Sequence, residues 1–266
     1  MTPGRADLHV LRGIMEPWGA VVVAYSGGAD SAFLATVAHQ VLRDRMVAVT
    51  AVSPSLAASE RQDAADFAAE IGFRHLEVET HEMETAAYRA NDGDRCFWCK
   101  DALMDALEPV AADLGARIAL GVNLDDLGDH RPGQQAAAQR GAEFPLVAAG
   151  FTKSDVRAAS RKLRLRTWDK PAAPCLASRV PYGTAVNLEV LGRVERAEAA
   201  LRGLGFRDLR VRHLDGAARV EVPLDDLPRV VELREQVVDA VRSAGYQRVS
   251  LDLEGLRSGN LNDDLR

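Results

Sequence analysis

Val21-Val22-Val23-Ala24-Tyr25-Ser26-Gly27-Gly28-Ala29-Asp30-Ser31 is the stretch that decides the fold class of this chain. It opens with an apolar run of strand length, turns at two glycines, and continues with helical spacing of apolar residues up to Arg43. Glycines let a backbone approach a ligand closely, and the N–H groups of a new helix attract anions. Serine hydroxyls and the helix dipole add to that attraction. The stretch therefore predicts a strand–turn–helix that binds phosphate through Ser26, Gly27, Gly28, Asp30 and Ser31.

Strand-like and helix-like segments alternate outward from this stretch. β-Branched residues predict a strand at residues 46–52, and further strands are predicted at residues 75–78 and 118–122. Apolar periodicity predicts helices at residues 59–71, 95–114 and 152–163. Such alternation is typical of parallel strands with helices packed on both faces, so the predicted fold class is α/β with a parallel sheet.

The pattern changes after a proline-rich stretch at residues 169–187. Beyond it the sequence predicts a helix at 188–201, hairpin strands at 209–213 and 218–222, a helix at 227–243 and a closing strand at 248–253. We therefore predict two domains. An α/β domain over residues 1–170 contains the phosphate-binding loop, and a small α+β domain over residues 171–266 carries Cys175.

Composition excludes several classes of protein. The 266 residues contain 47% hydrophobic residues, yet no apolar run is long enough to cross a bilayer, and residues 1–9 do not resemble a secretory signal, so a cytoplasmic location is expected. A formal net charge of −6 argues against a general nucleic-acid binder. Three cysteines in a reducing compartment make a disulfide framework improbable.

The glycine loop differs from the two common nucleotide loops. No Gly-Lys pair of a Walker A loop occurs in the chain, and no Gly-x-Gly-x-x-Gly follows the first strand. The loop instead resembles Ser-Gly-Gly-x-Asp-Ser, the signature of the PP-loop ATP pyrophosphatase superfamily, at every fixed position. That resemblance implies cleavage of ATP between its α and β phosphates, with adenylation of a carbonyl or carboxylate oxygen. A carboxylate beside phosphates favours Mg²⁺ as the accompanying ion.

The cysteines are the second group of candidate functional residues. Cys96 and Cys99 lie three residues apart at the start of a predicted helix, which places both sulfurs on one face. Cys175 lies in the proline-rich stretch. Nearby cations and a helix N-terminus favour thiolates. The pair alone leaves open a redox pair, part of an iron–sulfur site, or half of a Cys₃His zinc site completed by one of four histidines, His75, His81, His130 or His213.

Three separated segments of the sequence resemble one family within this superfamily. They are Arg95-Cys96-Phe97-Trp98-Cys99-Lys100, Gly121 to Asp129 with Arg131-Pro132-Gly133, and Cys175 to Thr184. Together they resemble the LarE family, the ATP-dependent sulfur transferases that help make the nickel-pincer nucleotide cofactor of lactate racemase. The likeness runs from about residue 8 to about residue 255.

The resemblance implies both a substrate and a source of sulfur. The substrate is pyridinium-3,5-biscarboxylic acid mononucleotide, whose carboxylates are adenylated and converted to thiocarboxylates. Some members sacrifice the sulfur of the cysteine that matches Cys175 and are left with dehydroalanine. Others hold a [4Fe–4S] cluster with a transferable sulfide. Because Cys96, Cys99 and Cys175 all match, the cluster version is favoured, with the three cysteines as metal ligands and catalytic residues, and the sacrificial version is the alternative.

Charged residues complete the predicted site. The resemblance favours catalytic roles for Asp126 and Asp129, whereas for Asp125 a metal-linked role and a solvated loop are equally open. Ser178 and Arg179, with Arg210 and Arg212 on one strand face, are predicted to bind the phosphate of the substrate, since an arginine fork grips phosphate at two points. A solvated face of the small domain is the alternative for Arg210 and Arg212.

The predicted partners follow from the same resemblance. They are a small nucleotide substrate, further copies of the chain in a homo-oligomer, and other proteins of nickel-pincer biosynthesis, without nucleic acid or membrane. One competing hypothesis is a tRNA-thiolating enzyme, for which a net charge of −6 supplies no RNA-binding surface. Another is a non-enzymatic regulator that binds zinc or a nucleotide, against which the intact Asp30 and Ser31 argue.

Overall fold

A computed structural model describes residues 6–128 and 132–257. The chain forms two compact units. The first comprises the chain up to Ser53 with Ala58–Glu82 and Cys96–Ala173, and the second comprises Pro54–Ala57, Met83–Arg95 and the chain from Pro174. The domain boundary predicted at residues 170–171 stays a prediction. The second unit also takes two short segments from earlier in the chain.

The first unit is built on a parallel sheet. Its four strands are β1 Val21–Ala24, β2 Met46–Val52, β3 Arg74–Glu79 and β4 Arg117–Leu120, in the order β3-β2-β1-β4. All described pairings within it are parallel, which confirms the predicted α/β fold class. Val21 and Val23 pack into one core and Val22 into another, so both faces of β1 are buried. A strand covered on both faces needs a continuous apolar run, and this run is the reason that the sequence predicts β1.

Helices cover both faces of this sheet. Those of the first unit are α1 Leu8–Met15, α2 Ala29–Leu42, α3 Ala58–Ile71, α5 Arg95–Leu114, α6 Pro132–Gln139, α7 Pro145–Ala148 and α8 Lys153–Lys162. The first residue of α5, Arg95, belongs to the second unit. The predicted cap of α8 is confirmed, since Thr152 and Asp155 form a reciprocal capping box. No helix in the described part of the chain is long and apolar enough to span a membrane.

The second unit contains α4 Ala86–Ala90, a short 3-10 helix Leu176–Arg179, α9 Leu188–Gly203, β5 Arg210–Leu214, β6 Ala217–Glu221 and β7 Arg248–Leu251. The predicted hairpin is confirmed: β5 and β6 are antiparallel, and the turn between them has positive φ at Asp215 and Gly216. β7 lies parallel to β6. The predicted cap of α9 is also confirmed, because the Asn187 side chain accepts from the Val190 N–H.

One predicted helix of the second unit is wrong. The single helix expected over residues 227–243 is two helices, α10 Leu227–Glu232 and α11 Arg234–Ser243. They meet at Leu233, whose backbone leaves the helical region at φ −93° and ψ 18°. No glycine or proline marks this point in the sequence. Apolar periodicity runs through it because Val230, Val237 and Val241 all reach the same core.

Candidate functional site

The loop between β1 and α2 closes on itself through its two serines. The Ser26 N–H donates to Ser31 Oγ at 3.2 Å, and Ser31 Oγ donates to the carbonyl of Gly28 at 3.2 Å. The two hydroxyls lie 3.1 Å apart. Gly28 is the N-cap residue of α2 and has no side chain to bond the first-turn N–H groups. The loop thus holds hydroxyls and helix N–H groups together at a positive helix end, which suits a phosphate group.

Two glycines make this geometry possible. Gly27 has φ +71°, and a Cβ there would lie 2.9 Å from the Ala64 Cβ of α3. Gly121 follows β4, and a Cβ there would lie 2.9 Å from the Ser31 backbone nitrogen. The first turn of α2 therefore packs directly against the backbone of Gly121, which follows β4. Side chains at either glycine would displace the loop or the helix start.

We expect Gly121→Ala to weaken ATP use more than it weakens the fold. Its methyl group would press on the backbone of Asp30 and Ser31, which cannot move without shifting the phosphate loop. Displacing a positioned group by about 1 Å can cost up to about a hundredfold, so the KM for ATP should rise roughly tenfold or more. Steady-state pyrophosphate release measures the change. Gly13→Ala in α1 is the control because a Cβ there meets nothing within 4 Å. Equal KM values for the two variants would contradict the prediction.

Asp30 is held by two residues that were not predicted as site residues. Lys153 Nζ at the start of α8 forms an ion pair with Asp30 Oδ2, and Asn123 Nδ2 lies 3.3 Å from Asp30 Oδ1. The Lys153 side chain is 34% exposed and that of Asp30 is 20% exposed, so both groups reach solvent. Asn123 stood inside the quoted motif, and Lys153 directly follows the predicted cap of α8. Neither local pattern shows that the two converge on Asp30.

The aspartates after β4 stabilise their own turn. An Asp126 carboxylate oxygen accepts from the Asn123 N–H at 3.1 Å. The Asp125 carboxylate accepts from the Lys153 N–H at 2.8 Å, which joins this turn to the start of α8. Asp129 and Arg131 lie outside the described residues. The catalytic roles of Asp126 and Asp129 stay predictions.

The cysteine pair lies on the first turns of α5 in the first unit. Cys96 is exposed and Cys99 is half-buried, and neither is joined in a disulfide. A Cβ at Gly133 would lie 2.7 Å from the Cys96 carbonyl oxygen, so the start of α6 packs directly against this turn. Within residues 6–128 and 132–257, no three His, Cys, Asp or Glu side chains are grouped so that they could hold a metal ion.

Cys175 belongs to the second unit and is also a free, half-buried thiol. It is the N-cap residue of the 3-10 helix Leu176–Arg179, and its side chain makes no capping hydrogen bond. The buried Arg179 guanidinium donates to the carbonyl of Pro174, and at 3.1 Å to that of Cys175. Arg179 also pairs with Glu198 of α9 at 2.8 Å, and both side chains are almost fully buried. Burial raises the pKa of Glu198, but the hydrogen bond and charge of Arg179, the Val211 N–H and the charge of Arg202 together outweigh it, so the net pKa is lowered.

The remaining predicted phosphate-binding residues surround this loop. Arg212 pairs with the fully buried Glu221 at 2.9 Å and donates to the Ser178 carbonyl at 2.7 Å. Arg210 is half-buried on the same strand. Burial, and then the positive charge of Arg179, lower the pKa of Arg210 to about 10. The positively charged side chains of Arg179 and Arg212 thus contact Ser178, and an anion bound there would offset their charge.

Comparison with known proteins covers almost the whole chain. A family model described as NAD synthase matches residues 12–103. An uncharacterized protein of Synechocystis sp. is 45% identical over 260 residues, which is 97% of this chain and 97% of that protein. The pyridinium-3,5-bisthiocarboxylic acid mononucleotide synthase of Lactiplantibacillus plantarum is 35% identical over 247 residues, which is 92% of this chain and 90% of that protein. Both matched relatives span the two units.

Proposed function

The chain belongs to the LarE family of ATP-dependent sulfurtransferases in the PP-loop superfamily, and on that premise we propose that it converts pyridinium-3,5-biscarboxylic acid mononucleotide to its thiocarboxylates. The observation that carries the proposal is the loop Ser26–Ser31, which gathers hydroxyls and free helix N–H groups at the start of α2. The name of the Lactiplantibacillus plantarum relative supports the choice of substrate and product.

The residues of the first unit suit the activation step. Ser26, Gly27, Gly28 and Ser31 would hold the phosphates of ATP, which carry the charge that a helix N-terminus favours. Mg²⁺ beside phosphates commonly needs only one or two protein carboxylates, and Asp30 can supply one. A substrate carboxylate oxygen attacks the α phosphorus, pyrophosphate leaves, and the acyl adenylate that forms has AMP as a good leaving group.

The second unit suits the phosphate of the substrate nucleotide. Arg210 supports this assignment because it is half-buried, and burial, followed by the positive charge of Arg179, lowers its pKa, an effect that a bound anion would offset. Ser178 lies on the loop that Arg212 contacts, and its hydroxyl accepts from Arg179. Arg179 and Arg212 already bond to buried carboxylates, so we assign them the task of shaping the site rather than the main phosphate contact. We retain Arg210 and Ser178 as proposed ligands of that phosphate.

The source of sulfur has two routes. The resemblance favours a [4Fe–4S] cluster on Cys96, Cys99 and Cys175, and we retain that proposal. The described residues contain no ready group of three metal ligands, so no step is assigned to the cluster here. In the sacrificial route the Cys175 thiolate attacks the adenylated carbon and AMP leaves. Loss of the Cys175 α-proton with cleavage of its Cβ–S bond then releases the thiocarboxylate and leaves dehydroalanine.

The proposal predicts which acceptor makes the protein split ATP. With Mg²⁺ and ATP, we expect pyrophosphate release to depend on the biscarboxylate mononucleotide and not to respond to tRNA. Product thiocarboxylate is measured by mass in the same samples. Release that depends on tRNA would favour the tRNA-thiolating hypothesis instead. An absence of pyrophosphate with every acceptor would favour the non-enzymatic regulator.

A further inference from the structure

Asn91 and Arg95 hold the loop that carries Cys175. This cysteine loop, residues 174–186, lies in the second unit together with the segment Met83–Arg95. The Asn91 side-chain amide donates to the carbonyls of Pro181 at 2.7 Å and Thr184 at 2.9 Å, and reaches that of Val180 at 3.3 Å. Asn91 is fully buried. One side chain therefore contacts three carbonyls of the loop.

Arg95 extends the same set of contacts toward Cys175. Its guanidinium Nη1 donates to the Ala177 carbonyl at 2.8 Å and also to Asn91 Oδ1. Only 4% of Arg95 is exposed. The Asn91 amide oxygen thus accepts from Arg95, and the amide nitrogen donates to carbonyls. These contacts fix the orientation of the amide. An aspartate at this position would turn an anionic oxygen toward three carbonyl oxygens.

The loop needs such support because its regular structure is limited to the short 3-10 helix Leu176–Arg179. Pro174 and Pro181 supply no N–H group, so neither residue can donate a backbone hydrogen bond that would hold the loop in place. Asn91 also has φ +59°, a left-handed conformation that asparagine and glycine adopt most easily. In that conformation its own carbonyl accepts from the Gly183 N–H at 3.1 Å. The side chain and backbone of one residue therefore hold both ends of the Pro181–Thr184 turn.

We propose that Asn91 and Arg95 are positioning residues for sulfur transfer, an assignment that rests on the proposed function. They act through the cysteine loop: Arg95 binds the carbonyl two residues after Cys175, and Asn91 anchors the turn that follows. Both residues belong to the second unit, whereas the hydrogen bonds described above for the loop Ser26–Ser31 join residues of the first unit. Loss of these contacts therefore slows the transfer of sulfur and leaves the activation of the carboxylate largely intact. Both sulfur routes need Cys175, so the inference holds for either.

The test is Asn91→Gly in the full-length chain. Glycine keeps the left-handed backbone without strain and removes only the amide. Displacing a reacting group by about 1 Å can cost up to about a hundredfold in rate. We expect kcat for thiocarboxylate formation to fall at least about tenfold, while pyrophosphate release and the KM for ATP stay within about twofold of the unmodified chain.

Arg89→Ala is the matched control, because Arg89 lies in the same segment and its exposed side chain donates to the Met83 carbonyl. Arg95→Lys, which keeps a cationic donor, should retain more sulfur transfer than Arg95→Met, and this pair decides the matter if Asn91→Gly does not fold. Unchanged thiocarboxylate formation, or a parallel loss of pyrophosphate release, would overturn the inference. A chain without substitutions that releases no pyrophosphate would instead count against the proposed function.

Discussion

Cys175→Ala is expected to release pyrophosphate but to form no thiocarboxylate. The substitution removes a half-buried thiol that makes no capping bond, so the 3-10 helix that follows keeps its backbone contacts. The phosphate loop and Asp30 belong to the first unit and remain unchanged, so carboxylate activation should continue. The adenylate then hydrolyses, and AMP accumulates without sulfur product. Product masses and pyrophosphate release, measured on the same samples, separate the two steps.

Cys96→Ser and Cys99→Ser are the matched comparisons, and they separate the two sulfur routes. After anaerobic purification, the cluster route predicts iron and sulfide in the original chain, and their loss together with sulfur transfer in both serine variants. The sacrificial route predicts an iron-free chain that loses the mass of hydrogen sulfide at Cys175 during turnover, with both serine variants active. Thiocarboxylate formation by Cys175→Ala would contradict both routes.

The first unit could be predicted from the sequence because its signals are local. A strand buried on both faces needs a continuous apolar run, and such runs make up β1 and most of β2 and β4. The edge strand β3 instead alternates apolar and charged residues from Leu76 to Glu79. The Ser26–Ser31 loop could be predicted because its residue types have separate structural roles. Gly27 has a φ of +71°, and the hydroxyl groups of the two serines contact each other. The resemblance to a known family then supplied substrate and sulfur chemistry that no local pattern carries.

The parts that escaped prediction depend on contacts between residues far apart in the chain. Lys153 and Asp30 are separated by 123 positions, and only packing of α8 beside α2 brings them together. Arg179 was expected to bind phosphate, whereas its guanidinium is occupied by Glu198 and by carbonyls of the cysteine loop. No sequence periodicity or motif indicates that Arg179 shapes that loop. Sequence identifies which residues are available for chemistry, and burial decides which of them remain available.

Lys153→Ala is expected to reduce pyrophosphate release by about 10²–10³-fold, the range seen when a preorganised stabilising group is removed from a reacting centre. The Lys153 ammonium lies on the Asp30 carboxylate in the first turn of α2, beside the loop that suits phosphates. Negative charge grows on the leaving pyrophosphate, and a cation held there lowers the energy of that change. With Lys153 removed, that cation is lost and Mg²⁺ alone offsets the charge of Asp30. We therefore expect kcat to fall and the KM for ATP to rise together, both followed by pyrophosphate release.

Lys162→Ala is the matched control, since Lys162 is an exposed lysine in the last turn of the same helix. It should leave both constants unchanged. Lys153→Arg keeps the charge but not the compact ammonium, and should recover part of the lost rate. Because the Lys153 N–H still binds Asp125 in every variant, the start of α8 stays anchored and the comparison isolates the side chain. Pyrophosphate release by Lys153→Ala at the rate of Lys162→Ala would show that the ion pair with Asp30 is structural, and that the phosphate loop activates ATP without a lysine.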